Sequence, residues 1–167
     1  MAELRHLVLV LGDQLDLDAA AFDDFDASRD AVWMAEVAEE STHVWSSKPR
    51  IALFLSAMRH FADALRAAGR PLHYTHLDDD GNAGSLTAQL AADVRRLRPA
   101  RLVMTAPGDW RVLQALGRRR RRSGCRWTCA RTGTSTAACA TSRPTRAVAP
   151  RCAWSTSIAS SAGVMAC

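Results

Sequence analysis

Four apolar-rich runs of strand length, each closed by a turn or a charge, constrain this chain most strongly. Residues 7–11 read LVLVL and stop at Gly12. Residues 31–35 follow Asp30 and end at Glu36. Residues 72–77 follow Pro71 and run into Asp78-Asp79-Asp80-Gly81-Asn82. Residues 101–106 end at Pro107-Gly108. Runs without polar alternation suit strands buried on both faces, the environment of a parallel sheet.

Helical patterns separate these runs. Over residues 49–68, Ile51, Leu55, Met58, Ala62 and Leu65 form one apolar stripe. Ser47 or Lys48 precedes the helix, Pro49 suits its first position and Gly69 its C-terminal stop. Residues 84–97 predict a second helix, with Ser85 as N-cap and Leu86, Leu90, Val94 and Leu97 on one face. A third starts over residues 108–116, and residues 16–22 predict a short one. Strand–helix alternation at these lengths predicts an α/β fold: a Rossmann-like parallel sheet with right-handed crossovers and helices on both faces.

Such sheets bind ligands beyond the carboxyl ends of their strands. The candidate loops are therefore Gly12-Asp13-Gln14, residues 36–40, residues 78–84 and Pro107-Gly108-Asp109-Trp110. No GxGxxG and no P-loop lysine is present, which argues against a dinucleotide or triphosphate site. The first loop is short and acidic. It suits hydrogen bonds to a neutral polyhydroxylated or heterocyclic ligand, or a tight turn capped by Asp13. Glu36 and Glu40, four apart, fit a general acid/base pair, ligand acceptors or a solvated helix face. Asp78-Asp79-Asp80 invites a metal, but Gly81-Asn82 makes it a turn. His60 reads as an ordinary helix histidine. Trp110 either stacks on a ring or packs.

Composition divides the chain. All 17 acidic residues lie at or before Asp109, and all five cysteines follow Gly117. Residues 1–117 carry a net charge of −5 and residues 118–167 a net of +10, which together give the +5 of the whole. The second stretch has no Leu, Phe, Tyr, Asp, Glu, Lys, His, Asn or Gln. Such a segment buries too little apolar area to offset roughly 1–2 kcal/mol of backbone entropy per ordered residue. Residues 1–117 are therefore expected to form the domain, with 118–167 an unfolded tail that leaves a strand edge or apolar face uncovered.

The tail has three readings. The Arg118–Arg122 run attracts nucleic-acid phosphates non-specifically. Cysteines could ligate zinc, although only Cys125 and Cys129 are close together and no histidine accompanies them. The third reading is a displaced reading frame. Trp127 has the single codon TGG and Thr128 begins AC, so the neighbouring frame reads GAC, aspartate. GC-rich codons from Arg126 onward are compatible with Leu-Asp-Val-Arg-Glu-Asp-Arg-His-Phe-Tyr-Cys-Ser in that frame. The missing acids and aromatics return together, and the expectation is a frameshifted product whose native form continues further.

The segments LVLVLGDQL, MAEV with Glu40, IALFLSAMRHFADAL, HLDD…NAGSL and PGDWRV, in this order, resemble the N-terminal domain of the deoxyribodipyrimidine photolyase-related (cryptochrome/photolyase) family. The resemblance runs from about Leu4 to Leu116. It implies a protein that uses FAD and light to repair pyrimidine lesions in DNA by electron transfer, or that signals as a cryptochrome. It assigns FAD and an iron–sulfur cluster to a helical C-terminal region not found here, so this chain alone is expected to bind no FAD and to show no lyase activity. It assigns an antenna chromophore, a ribityllumazine in relatives, to the N-terminal domain. Gly12, Asp13, Glu36, Glu40, Gly108 and Asp109 match the antenna-pocket loops. Ser46-Ser47, Pro49 and Ala35 depart from the family's pattern. A small-ligand α/β module without a light role is the competing reading. No membrane-length apolar window and no secretory signal are present, and the cysteine-free body fits the cytoplasm.

Overall fold

The computed structural model describes residues 4–42, 46–120 and 126–130. In chain order the elements are β1 (His6–Leu9), a 3-10 turn (Ala20–Phe22), β2 (Asp30–Ala35), α1 (Ala38–Thr42), α2 (Lys48–Ala67), β3 (Leu72–Thr75), α3 (Leu86–Leu97), β4 (Arg101–Thr105), α4 (Trp110–Arg120) and β5 (Arg126–Ala130). All five strands are parallel, in the order β3-β2-β1-β4-β5. The four apolar runs are the four strands anticipated, and β1 lies at the centre.

Alternate residues of the strands feed two cores, one on each face. Leu7, Leu9, Trp33, Leu102 and Met104 pack under α3 and α4, which contribute Leu90 and Leu116. Val8, Val10, Val32 and Met34 pack under α2, which contributes Met58, Phe61 and Leu65. The sheet is thus a Rossmann-like layer with helices on both faces. Trp33 Nε1 donates to the buried Asp93 carboxylate of α3 at 2.9 Å, so a central strand and its covering helix share a polar tie. Asp93 also accepts from Gln89 and Arg96.

The stop of α2 depends on Gly69, whose φ of +70° would strain a side chain. Gly69 N–H donates to the Arg66 carbonyl, and Arg70 N–H reaches back to that of Leu65, the paired bonds of a Schellman motif. The short helix expected over 16–22 is only the 3-10 turn. Asp16 accepts from Asp18 N–H at 2.9 Å, a local bond that competes with helix.

The domain boundary expected at Gly117 needs correction. α4 continues through Arg120, and Arg126–Ala130 pairs with β4 over five register positions. Trp127 is buried between the sheet and α4, so β4 is not left as an edge. One large aromatic, seated beside a preformed strand, supplies what the tail's average composition hides. The remainder of the tail, with Arg121, Arg122, Cys125, Cys139, Cys152 and Cys167, lies outside the described residues. No helix among the described residues is long and apolar enough to cross a membrane.

Candidate ligand cleft at the switch point

Strand order reverses on either side of β1, since β2 and β4 flank it and their following helices cover opposite faces. Open α/β sheets have their natural crevice at such a point. Here a cavity of about 200 Å³ lies beyond β1, β2 and β4, between the N-terminal half of α2 and the first turn of α4. Gly12, Asp13, Glu36, Glu40 and Asp109 line it, and Phe54, Met58, Leu86 and Val112 supply apolar wall. Gly108 joins them at one remove: a Cβ placed there would lie 3.6 Å from Asp13 Oδ2. Gln14 ties the two loops, its Nε2 donating to the Ala106 carbonyl at 2.8 Å. Its Oε1 is buried and finds no partner among the described residues.

Gly12 is closely covered: a Cβ at this position would collide with Phe54 Cζ and lie 2.9 Å from Met58 Sδ, so those side-chain ends would have to shift. The phenyl ring therefore lies directly on the Gly12 backbone and forms one side of the cleft, while remaining 42% exposed.

The six positions do different work. Asp13 is exposed and makes no hydrogen bond or ion pair among the described residues, so its carboxylate is available at the rim. Asp109 caps α4: its Oδ1 accepts from Arg111 N–H and its Oδ2 from Arg111 Nη2, both at 2.7 Å. Those bonds, the backbone one foremost, hold its pKa below the ordinary carboxylate value.

Glu36 and Glu40 do not share a helix face, because Glu36 directly follows β2 and Glu40 sits on α1. Glu36 is 1% exposed. Its Oε1 accepts from Arg59 Nε at 2.8 Å and Tyr74 Oη at 2.6 Å, and its Oε2 from Arg59 Nη2 at 2.9 Å and Leu77 N–H at 3.0 Å. Burial opposes its ionisation, but the bonds from Arg59, Tyr74 and Leu77 prevail and bring its pKa to about 2. Burial and the same carboxylate push the Tyr74 phenol up. With its oxygens so engaged, Glu36 is a structural anchor under the cleft and not the proton-transfer group its spacing allowed. Asn82 completes the knot, donating to the Glu36 and His76 carbonyls and accepting from Gly84 N–H. Arg59, Tyr74 and Phe54 were not singled out by the sequence, and Asn82 was read only as part of a turn, although all help shape the site.

Asp79 accepts from His76 N–H at 2.7 Å and closes the turn expected over 78–82. His60 is exposed on α2. Trp110 is 68% exposed beside the cleft, in a groove it shares with Glu39, Glu40 and Arg111. It is therefore not the packing residue that was one of its two readings.

The family model described as "Deoxyribodipyrimidine photo-lyase-related protein" matches residues 8–141, most of the chain and every residue of the cleft. The chain belongs to that family. The photolyase-related match extends past Gly117 and takes in β5. A curated "(6-4) photolyase" from Agrobacterium fabrum (strain C58 / ATCC 33970) is 44% identical over 109 residues. That alignment covers 65% of this photolyase-related chain but 22% of the relative, so the chain spans about a fifth of that protein's length.

Proposed function

We propose that this chain carries the antenna-binding part of a photolyase-related protein and that the switch-point cleft receives a ribityllumazine-type chromophore. The observation carrying this reading is the pairing of apolar walls with spare acceptors. Phe54, Met58, Leu86 and Val112 suit the faces of a flat heterocycle. Asp13 at the rim suits hydroxyl donors of a polyol chain, and Gln14 Oε1 in the same loop is an acceptor to spare. A cavity of about 200 Å³ accommodates a ring and leaves a chain toward solvent. The chromophore would supply light absorption, and the protein's share is to orient it and exclude water.

The whole protein's activity is proposed as light-driven repair of pyrimidine lesions with FAD, in a region beyond these residues. The reading-frame displacement after Gly117 belongs to the same proposal: the Trp127–Thr128 codon constraint supports it, the family match through residue 141 and the pairing of β5 with β4 oppose it, and the nucleotide sequence across codons 115–125 decides it.

The direct test is titration of ribityllumazine into the purified chain, followed by fluorescence and absorption. One equivalent should bind with a shifted spectrum, and a cleft-filling Gly12→Trp variant that remains folded should not bind. Absence of binding by the folded parent chain would refute the antenna reading. Flavin copurifying near one equivalent would refute the assignment of FAD to another region.

A further inference from the structure

We propose that the cleft is a charge filter: it admits a ring bearing a free polyol chain and turns away the phosphate ester of the same ligand, with Asp13 as the residue that sets the choice. This rests on the antenna reading and narrows it, from a class of ring to a class of substituent. Among the described residues, four carboxylates, those of Asp13, Glu36, Glu40 and Asp109, line the cleft, and no lysine, arginine or histidine does. An acidic lining alone decides little, because cations placed just behind it could still draw in an anion. Here the cations behind it are already engaged. The Arg59 guanidinium closes on both oxygens of Glu36. The Arg111 guanidinium is taken by Asp109 Oδ2. The N-terminus of α4 is where an anion would ordinarily settle. It is plugged by the protein's own carboxylate, since Asp109 Oδ1 accepts from Arg111 N–H.

The side-chain groups left over accept hydrogen bonds. Asp13 makes no hydrogen bond or ion pair among the described residues, and Gln14 Oε1 beside it is buried without a partner there. The donor of that amide, Nε2, is turned to the Ala106 carbonyl. A ligand suited to such groups brings N–H or O–H donors. A polyol supplies them along its length. A phosphate ester supplies almost only acceptors, together with negative charge of its own. The apolar walls of Phe54, Met58, Leu86 and Val112 sharpen the mismatch, because they thin the water that would screen it. The neighbouring groove does not reverse this balance. It meets the cleft at Glu40, Leu86 and Val112, and Glu39 adds a further carboxylate beside the first turn of α3. Arg118 lines that groove as well, but about two turns along α4 from Trp110 and outside the cleft.

The test compares ribityllumazine with its terminal phosphate ester by fluorescence titration of the full chain at several salt concentrations. The ester should bind about tenfold more weakly at low salt, and the gap should narrow as salt rises, because Asp13 lies at the rim. Asp13→Asn should cut the gap severalfold, and Asp13→Lys should reverse the order of the two ligands. A ratio of two affinities measured on one protein does not respond to a general loss of stability, so misfolding cannot imitate the reversal. Binding of neither ligand by the folded parent overturns this inference together with the antenna reading. Equal binding of both, or a gap that neither salt nor the Asp13 variants move, overturns this inference alone.

Discussion

Arg59, on α2, grips Glu36, at the end of β2, with two parallel hydrogen bonds of 2.8 and 2.9 Å. The pair fastens the helix to the strand end just beneath the cleft, with the carboxylate buried and the guanidinium about half exposed. Removing Arg59 strands the charge, whereas removing the charge leaves an arginine that water can serve. Arg59→Met is therefore expected to destabilise the domain by about 2–4 kcal/mol, and Glu36→Gln by only about 1–2 kcal/mol. Urea unfolding midpoints at neutral pH measure both. Equal losses would mean that the ion pair is not what holds the carboxylate.

Acid should unfold the domain partly through this carboxylate. Glu36 titrates at about 2 when folded against 4.5 in the ordinary state. The unfolded chain therefore binds more protons between these values, so the contribution is full above about pH 4.5 and is lost as pH falls toward 2. Asp30 and Asp93, also held low by their donors against the cost of burial, act in the same direction. His6 and His73 are depressed below 6.5 by burial and add a loss that begins as pH drops below that value. Circular dichroism against pH should show this decline. A Glu36→Gln variant should show a shallower fall below pH 4.5.

The contact of Phe54 with Gly12 makes a prediction about cleft shape. Gly12→Ala should displace the phenyl ring and Met58, lowering ribityllumazine affinity by about tenfold, or ~1.4 kcal/mol. Phe54→Ala in the same chain vacates the space, so the double variant should bind better than Gly12→Ala alone. Titration of the four proteins checks it, and additive effects would argue against direct coupling.

Gly69 offers a test remote from any ligand. Its φ of +70° penalises a Cβ, although nothing lies within 4 Å of one. Gly69→Ala should cost about 1 kcal/mol in thermal or urea unfolding with ligand binding unchanged. No change in stability would show that the turn relaxes to another stop.

Four of the five strands were legible: β1 and β2 because they are buried on both faces and need no alternation to betray them, β3 and β4 because a proline or a turn bounds each short run. The ends of α2 were legible from Pro49 and Gly69, where backbone chemistry is local. β5 was not, since five residues with one large apolar side chain carry no period, and its stability comes from the neighbouring β4. The role of Glu36 was hidden for a different reason. Its donors Arg59, Tyr74 and Leu77 are 23, 38 and 41 residues away, so no window of sequence contains the knot. The loops of the cleft could be found from strand ends alone. Which of their carboxylates remains available, Asp13 and not Glu36, required the fold.

The central place of β1 sets an order of events during synthesis. Its first partner, Ala31 opposite Leu7, leaves the ribosome soon afterwards, but Leu102, on its other side, emerges only after two more strands and α3. Until then the most hydrophobic strand presents an open ladder to its surroundings. A nascent chain stalled before β4 would accordingly be a sticky half-sheet in need of chaperone cover, and completion of that strand is the step that seals it.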